Sequence, residues 1–289
     1  MHLVSAGWLA QCLDNPAVRI VDMRGFVRTS TSPDGVQTAE YRGAREEYAR
    51  AHIPGAVYLD WTTDIVDLDD PIPAQVAPPE KIALALGAAG IGNDTLVVAY
   101  DDHPASQFAT RLWWVLRYYG HENVRVLDGG WSKWVAEARP TTSGIETPRP
   151  AVFTPRPRPE LRMTAEQVAA RIGDPGVCLV DARDEGQFTG AIQRGPRGGH
   201  IPGAIHLSRE SFFNSDRTFR DVDALRGVVR DSGVARETNR ERTVVAYCNG
   251  GVAATTVLFT LSMLDFPSLS NYDGSWNEWT AREDLPVER

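Results

Sequence analysis

The feature that most constrains this chain is an internal repeat of domain size. Residues 20–24 (IVDMR) resemble residues 179–183 (LVDAR), and the HIPGA segment at 52–56 returns unchanged at 200–204. Two further pairs follow in the same order: 96–100 with 243–247, and 128–131 with 273–276. The spacing between partners shortens gradually along the chain, as two copies of one fold with loop insertions would give. This pattern excludes a short-period solenoid.

A proline-rich stretch separates the two copies. Six prolines occur from Pro140 to Pro159 inclusive, and the apolar periodicity there is weak, so the segment predicts a stiff, extended linker. We therefore predict a first domain over residues 1–140, a linker over 141–160 and a second domain over 161–289. The first copy carries about eleven extra residues, in the polar stretch between Thr29 and Gln37.

Each copy alternates short apolar strands with helical segments. In the second copy, Thr164 and Gln167 form a capping-box pattern before a helix, and residues 177–180, 243–247 and 269–272 are typical of buried strands. A helical run from about residue 251 to 264 follows the second of these strands. The alternation predicts the α/β class, with a mostly parallel sheet covered by helices on both faces in each domain.

Composition limits the partners and the compartment. The net charge of −8 at pH 7 argues against nucleic acid and anionic membranes as partners. No apolar run reaches the roughly 18–20 residues of a membrane-spanning helix, and the start of the chain does not resemble a signal peptide. Three widely spaced cysteines form neither a disulfide framework nor a zinc motif. We expect a cytoplasmic protein that binds no metal.

One loop in the second copy has the features of a nucleophilic site. Cys248 directly follows the apolar strand 243–247, and Gly250 and Gly251 come before the next helical segment. Ligands of open α/β sheets bind beyond the carboxyl ends of the strands. A glycine turn and a helix N-terminus favour a thiolate over a thiol and would stabilise an anion bonded to that sulfur. Cys12 and Cys178 lie in a predicted helix and strand and are interpreted as core residues.

The first copy provides an internal comparison. Its matching strand ends at Tyr100 and is followed by Asp101, where the second copy has Cys248. A carboxylate cannot act as a sulfur nucleophile, and Asp101 with Asp102 would repel an anion. The first domain is therefore predicted to be catalytically inactive, a structural partner that could form one wall of the cleft.

The duplicated unit, its two HIPGA segments, the YDGSW segment at 272–276 and the single cysteine loop resemble the tandem-domain rhodanese-type sulfurtransferases. This family includes thiosulfate and 3-mercaptopyruvate sulfurtransferases, and the resemblance covers nearly the whole chain. It implies that Cys248 carries sulfur as a persulfide between donor and acceptor, without a metal or organic cofactor. It also implies that the persulfide is cradled by the rest of a six-residue loop: Asn249, Gly250, Gly251, Val252 and Ala253.

The resemblance further implies arginines that bind the anionic donor. Arg183 matches the family pattern after the strand, and Arg197, or alternatively Arg194, matches the arginine before HIPG. Family members often have another arginine where this chain has Gln187. The neutral loop resembles the mercaptopyruvate type more than the thiosulfate type, but Ala253 replaces the usual threonine. Thiosulfate and 3-mercaptopyruvate therefore both stay open as donors.

The acceptor would be cyanide or a thiol, including a thioredoxin-like protein, and we expect a monomer. Gln187 and Ser275 are expected in the cleft, whereas His52 and His200 precede Ile-Pro-Gly in both copies and are interpreted as turn-stabilising. A cysteine phosphatase would need an arginine at position 254, which is alanine. The other alternative is a non-enzymatic redox or sulfur-carrier docking module, although such a module would be expected to have lost its cysteine.

Overall fold

The computed structural model describes residues 2–234 and 242–289, and within them each half of the chain forms a five-stranded parallel sheet. The first-domain elements are β1 Leu3–Val4, α1 Ala6–Ala10, β2 Val18–Asp22, β3 Gly25–Thr31, β4 Gln37–Gly43, α2 Arg45–Arg50, β5 Val57–Tyr58, α3 Pro79–Ala88, β6 Leu96–Tyr100, α4 Gln107–Tyr118, β7 Val124–Leu127 and α5 Gly130–Ala136. The second-domain elements are β8 Arg162–Met163, α6 Ala165–Ala169, β9 Val177–Asp181, α7 Glu185–Phe188, β10 Ile205–His206, α8 Val222–Asp231, β11 Thr243–Tyr247, α9 Ala254–Met263, β12 Leu269–Tyr272 and α10 Ser275–Ala281.

The two sheets share one topology. Their strand orders are β1-β7-β6-β2-β5 and β8-β12-β11-β9-β10, so each strand of the first sheet has a counterpart at the same place in the second. In β6, Val97 and Ala99 pack into one apolar cluster, whereas Val98 and Tyr100 pack into another on the opposite face. Successive strand residues point to opposite faces, so the sheet has an apolar cluster on each side. Helices cover both of these clusters. The predicted pair of α/β domains is confirmed.

Local signals in the sequence account for several element boundaries. Thr164 caps α6: its side chain accepts from the N–H of Gln167, and the Gln167 side chain accepts from the N–H of Thr164. The helix predicted from about residue 251 begins instead at Ala254, because residues 249–253 form a turn. Between residues 140 and 158 the chain has no helix or strand. Thr142 exchanges two backbone hydrogen bonds with His52: the N–H of His52 donates to its carbonyl at 2.8 Å, and its own N–H donates to the carbonyl of His52 at 2.9 Å.

The two domains pack together through α4 and α9. The hydroxyl of Thr110 on α4 lies 3.1 Å from the hydroxyls of both Thr255 and Thr256 on α9. Further along the same contact, the ring of Trp113 meets the ring of Phe259 edge to face at 5.2 Å between centroids. A single apolar cluster therefore runs through both domains and includes Cys248. This contact brings the cysteine loop against the first domain.

The extra residues of the first copy form a β-hairpin. Strands β3 and β4 pair antiparallel, and residues 32–36 form the tip between them. The tip reaches the second domain: the N–H of Gln37 donates to the carbonyl of Gln193, and the N–H of Gln193 donates to the carbonyl of Gly35, both at 2.8 Å. At the base, a Cβ on Gly25 would lie 2.0 Å from Nε1 of Trp61, so only glycine allows this close approach.

No helix within residues 2–234 and 242–289 is both long and apolar enough to cross a membrane. The longest helix, α4, has twelve residues, whereas a span needs about 20.

Candidate active site

Cys248 lies at the carboxyl end of β11, the central strand of the second sheet, and is 3% exposed. Its backbone is held on both sides: its N–H donates to Oγ of Ser275 at 3.1 Å, and its carbonyl accepts from the N–H of Trp276 at 3.0 Å. The Ser275 hydroxyl in turn donates to the carbonyl of Tyr272 at 2.7 Å. Ser275 holds the cysteine backbone through this hydrogen bond. The sequence predicted Ser275 in the cleft, but the residue is fully buried.

Residues 249–253 form a turn between Cys248 and α9. Their N–H groups have no hydrogen-bond acceptor among the residues that the structure describes. Gly251 has a φ of +71°, and a Cβ there would come 2.6 Å from the carbonyl oxygen of Asp273, so the turn requires glycine at this position. Free N–H groups and a helix N-terminus, such as that of the ten-residue α9, can stabilise an anion bound beside them.

A buried ion pair between the domains holds this turn from behind. Arg111 on α4 donates to Oδ1 of Asp273 at 2.6 Å, and the two side chains are 1% and 0% exposed. Arg111 also donates to the carbonyl of Gly251 at 3.2 Å, and Nδ2 of Asn271 donates to the same carbonyl at 3.0 Å. With its carbonyl bonded twice, the Gly251 peptide has a fixed orientation. A residue of the first domain therefore shapes the cysteine loop.

Cys248 borders a pocket of about 190 Å³ that lies between the domains. The volume suits a small molecule rather than a chain segment. The second domain contributes the loop itself together with polar residues near it, namely Asp184, Gln187, Arg194 and Arg209. The first domain contributes the opposite wall: Val27, Thr29, Gln37 and Tyr41 of the hairpin, with Trp61, Ala74, His103 and Gln107.

Two arginines supply positive charge to the pocket. Arg209 shares its charge with two carboxylates, since its guanidinium lies 2.8 Å from Glu210 and 3.9 Å from Asp184. Arg194 donates to the hydroxyl of Tyr41 at 2.6 Å and has no carboxylate partner in the described part of the chain. Arg194 is therefore the cation that is available to an anionic ligand.

His103 also borders the pocket. Burial is the main reason that its pKa is lowered to about 3, and the nearby charges of Arg209 and Arg217 add to the effect. The N–H of Ala105 donates to its Nδ1 at 3.0 Å, which leaves that nitrogen as an acceptor. His103 is therefore neutral at physiological pH and adds no charge to the pocket.

Arg183, expected to bind the donor, lies outside the pocket. It is 1% exposed, and its Nη2 and Nε donate to the carboxylate of Asp181 at 2.6 and 3.0 Å. Its guanidinium also covers the ring of Trp276 at 4.3 Å. Arg24 and Asp22 form the same pair in the first domain, at 2.7 Å. The pair is thus a repeated element of the fold, and Arg183 is not among the residues that line the pocket.

Arg197, the second expected donor ligand, is also placed elsewhere. The segment before His200 turns its guanidinium toward the end of α10, where its N–H groups are occupied by carbonyl oxygens. The acceptors are Trp279, Thr280, Arg282 and Leu285, at 2.6–3.2 Å. Its alternative from the sequence, Arg194, is the residue that reaches the pocket.

Gln187 lies on the pocket wall as expected, beside the loop. Its Oε1 accepts from Nδ2 of Asn249 at 2.9 Å, and its Nε2 donates to Oε1 of Gln37 at 2.7 Å. His52 and His200 lie outside the pocket, with their rings stacked at 4.1 Å on Tyr48 and 3.8 Å on Phe188. Among the described residues, no group of His, Cys, Asp and Glu side chains could hold a metal ion.

Sequence reasoning missed Arg111, Arg209 and the four hairpin residues of the pocket. Arg111 lies in an apolar helix of the first copy, where a fully buried arginine is rare unless it is paired. That mismatch was the one available signal for it. The hairpin was recognised as an insertion, but nothing in its composition indicates that it reaches the other domain.

Comparisons with known proteins agree with this arrangement. The model of the rhodanese-like domain matches the chain twice, at residues 5–137 and 164–282. A putative thiosulfate sulfurtransferase of Haloferax volcanii is 34% identical, over 99% of this chain and 96% of its own length. The 3-mercaptopyruvate sulfurtransferase of Escherichia coli K12 is 32% identical, over 99% of this chain and 97% of its own.

Solved structures show the same relationship. The crystal structure of SseA from Escherichia coli, described as a 3-mercaptopyruvate sulfotransferase with the rhodanese fold, superposes with a TM-score of 0.81 at 29% identity. The superposition covers 95% of this chain and 98% of that one. The duplicated sheet, the cysteine loop after β11 and these full-length matches lead to one conclusion: the chain belongs to the rhodanese family of sulfurtransferases, with two domains in tandem.

Proposed function

We propose that this enzyme moves a sulfane sulfur from a small anionic donor, thiosulfate or 3-mercaptopyruvate, to cyanide or a thiol, with Cys248 as the carrier. One observation carries the assignment: the thiol borders a small pocket, and five successive backbone N–H groups beside it lack acceptors within the described residues. The names of the relatives from Haloferax volcanii and Escherichia coli support both donors.

In the first step the Cys248 thiolate attacks the outer sulfur of the donor and forms an S–S bond. With thiosulfate, the donor's own S–S bond breaks and its electron pair leaves with sulfite. With 3-mercaptopyruvate, the C–S bond breaks, its electron pair stays on carbon, and the enolate takes up a proton to give pyruvate. The N–H groups of Asn249, Gly250, Gly251, Val252 and Ala253 stabilise the charge of the persulfide.

Arg194 holds the anionic end of the donor, because it is the pocket cation without a carboxylate partner in the described chain. Arg209 lies on the same pocket but is shared with Asp184 and Glu210, so its contribution is smaller. Arg183 and Arg197 support the fold around the site through their internal hydrogen bonds.

In the second step the acceptor attacks the outer sulfur of the persulfide. The S–S bond breaks, its electron pair returns to Cys248 as thiolate, and cyanide leaves as thiocyanate. A thiol acceptor, including the thiol of a thioredoxin-like protein, would leave as a persulfide. We further propose a monomer that works in the cytoplasm, where the free thiols of Cys12, Cys178 and Cys248 are kept reduced.

We also propose the domain limits inferred from the sequence: a first domain over 1–140, a linker over 141–160 and a second domain over 161–289. The limits of the family matches, 137 and 164, leave the same proline-rich segment between the domains.

Mass measurement of the intact chain tests the assignment. After incubation with thiosulfate or 3-mercaptopyruvate, the wild type should gain one sulfur atom, and cyanide should remove it. Cys248→Ser should never gain this mass, whereas Cys12→Ser should behave as the wild type because Cys12 is remote from the pocket. A wild type that gains no mass with either donor would refute sulfur transfer.

A further inference from the structure

The hairpin of the first domain contributes an amide to the pocket of the second. Nδ2 of Asn249 donates to Oε1 of Gln187, and Nε2 of Gln187 donates to Oε1 of Gln37. Nε2 of Gln37 then donates to Oγ1 of Thr31 at 3.3 Å. We call Gln37, Gln187 and Asn249 the amide chain. All three border the pocket, and Gln37 is the member that the inactive domain supplies.

The position of Gln37 is set by backbone contacts rather than by its own side chain. The N–H of Gln37 donates to the carbonyl of Gln193, and the Gly35 carbonyl accepts from the N–H of Gln193. The hairpin is therefore bound to the second domain on both sides of the Gln193 peptide. This contact leaves the Gln37 amide in place to orient Gln187, which is 3% exposed.

The amide chain determines which side-chain atom of Asn249 has no hydrogen-bond partner. Its Nδ2 is used in the bond to Gln187, and its Oδ1 is buried with no hydrogen-bond partner in the described part of the protein. An anionic oxygen has no hydrogen to donate to this acceptor, whereas a neutral O–H or S–H group does. The Asn249 side of the wall therefore presents an acceptor and no hydrogen, which is unfavourable for a negatively charged oxygen.

Positive charge in the pocket is limited to the side of Arg194 and Arg209. Arg209 is already compensated by Asp184 and Glu210, and the His103 ring is neutral. Arg194 can balance one negative charge of a ligand. A donor with two negative charges would find no second uncompensated cation among the described residues of the pocket, which lowers its affinity.

We propose that the pocket selects a sulfur donor with a single negative charge, a thiol-bearing monocarboxylate, over a doubly charged oxyanion, and that Gln37 is the specificity-determining residue supplied by the first domain. The proposal rests on sulfur transfer through Cys248, and the transfer step is the one described above for a C–S donor. Gln37 acts through Gln187, so it is a positioning residue.

The first test compares rate constants for sulfur loading of the full-length chain by 3-mercaptopyruvate and by thiosulfate. The wild type should load from the singly charged donor at least about tenfold faster. Gln187→Arg places a cation within the amide chain, so the ratio should fall by about tenfold or more through faster loading from thiosulfate. Adding Gln37→Glu should pair the new guanidinium and return the ratio toward the wild-type value. A side chain at position 37 that did not reach position 187 would not give this reversal, and the role of the native amide is measured by Gln37→Ala.

The second test removes the Gln37 amide alone. Gln37→Ala should lower kcat/KM for 3-mercaptopyruvate by about fivefold, because Gln187 and Asn249 lose their orientation. Discharge of a preformed persulfide by cyanide should be unchanged. Thr38→Ala, at an exposed position of the same strand, is the matched control and should leave both steps unchanged.

Each outcome has a distinct meaning. If neither donor loads the wild type, sulfur transfer itself is refuted. If both donors load equally fast, charge selection is refuted while sulfur transfer stands. If Gln37→Glu fails to reverse Gln187→Arg and Gln37→Ala equals the wild type, Gln37 has no part in specificity. Should the double variant not fold, the comparison of Gln37→Ala with Thr38→Ala decides the question.

Discussion

The loops that follow β6 and β11 occupy equivalent places in the two domains, and their N–H groups have different partners. In the first domain, the carboxylate of Asp101 accepts from the N–H groups of His103, Phe108 and Ala109 at 3.1, 2.7 and 2.9 Å. In the second domain, the N–H groups that follow Cys248 have no acceptor among the described residues. The first domain thus fills its anion site with its own side chain, whereas the second leaves it open for sulfur.

The largest expected effect comes from copying the first domain into the second. Cys248→Asp should place a carboxylate on the loop N–H groups and abolish sulfur loading, a loss of at least about a thousandfold. The variant should nevertheless be no less stable than Cys248→Ser, because the carboxylate gives the N–H groups an acceptor. Intact mass and thermal unfolding measure the two effects. If Cys248→Asp unfolds at a clearly lower temperature than Cys248→Ser, the two loops are not equivalent.

A smaller but still large effect is expected from Arg111, which connects the domains. Arg111→Ala should slow sulfur loading by about 10- to 100-fold, since the Gly251 carbonyl loses its anchor. It should also lower the free energy of unfolding by roughly 3 kcal/mol, because Asp273 becomes a buried charge without its main partner. Loading kinetics and urea unfolding check both. Arg117→Ala is the control on the same helix, since Arg117 pairs with the exposed Glu122; equal losses in both variants would contradict a specific role.

The arginines that pair with buried aspartates and the arginine that lines the pocket should respond differently to substitution. Arg183→Ala and Arg24→Ala should both destabilise the protein by roughly 3 kcal/mol, because each leaves a buried aspartate unpaired. Arg194→Ala should instead raise the KM for the donor by about tenfold with little loss of stability. Steady-state kinetics and unfolding curves separate the two classes. A raised donor KM in a well-folded Arg183 variant would restore the assignment made from the sequence.

The last effect concerns pH and needs no change of the active loop. Burial raises the pKa of Asp101 to about 7, although its three N–H contacts oppose the shift. In the unfolded chain this carboxyl loses its proton near pH 4, so the unfolded state binds fewer protons between about pH 4 and 7. The free energy of unfolding should therefore fall as pH rises through this range, by at most about 1.4 kcal/mol per pH unit from this group. Asp101→Asn should remove that part of the slope in urea unfolding at pH 5 and pH 7; identical slopes would contradict it.

The sequence was sufficient for the fold and for the position of the cysteine loop. The apolar runs that became β9, β11 and β12, and the Thr164 cap, depend on local patterns that a single sequence displays. The roles of Arg111 and Gln37 could not be predicted from the sequence, because they arise from the packing of α4 on α9 and from the contact of the hairpin with the second domain. Arg197 was predicted to bind the donor, whereas the carbonyl oxygens that accept its hydrogen bonds come from residues 279–285, which are distant from it in sequence.

The loop after β6, where Asp101 occupies the N–H groups, shows how a duplicated domain can keep its fold with aspartate where the other copy has cysteine. An alanine at this position would leave several buried N–H groups without an acceptor, which is a large cost for a marginally stable protein. Aspartate supplies an acceptor for these N–H groups in a single substitution, so the loop keeps its fold without a cysteine. A backbone kept in place in this way can carry side chains that act on the neighbouring domain, as Arg111 and Gln37 do.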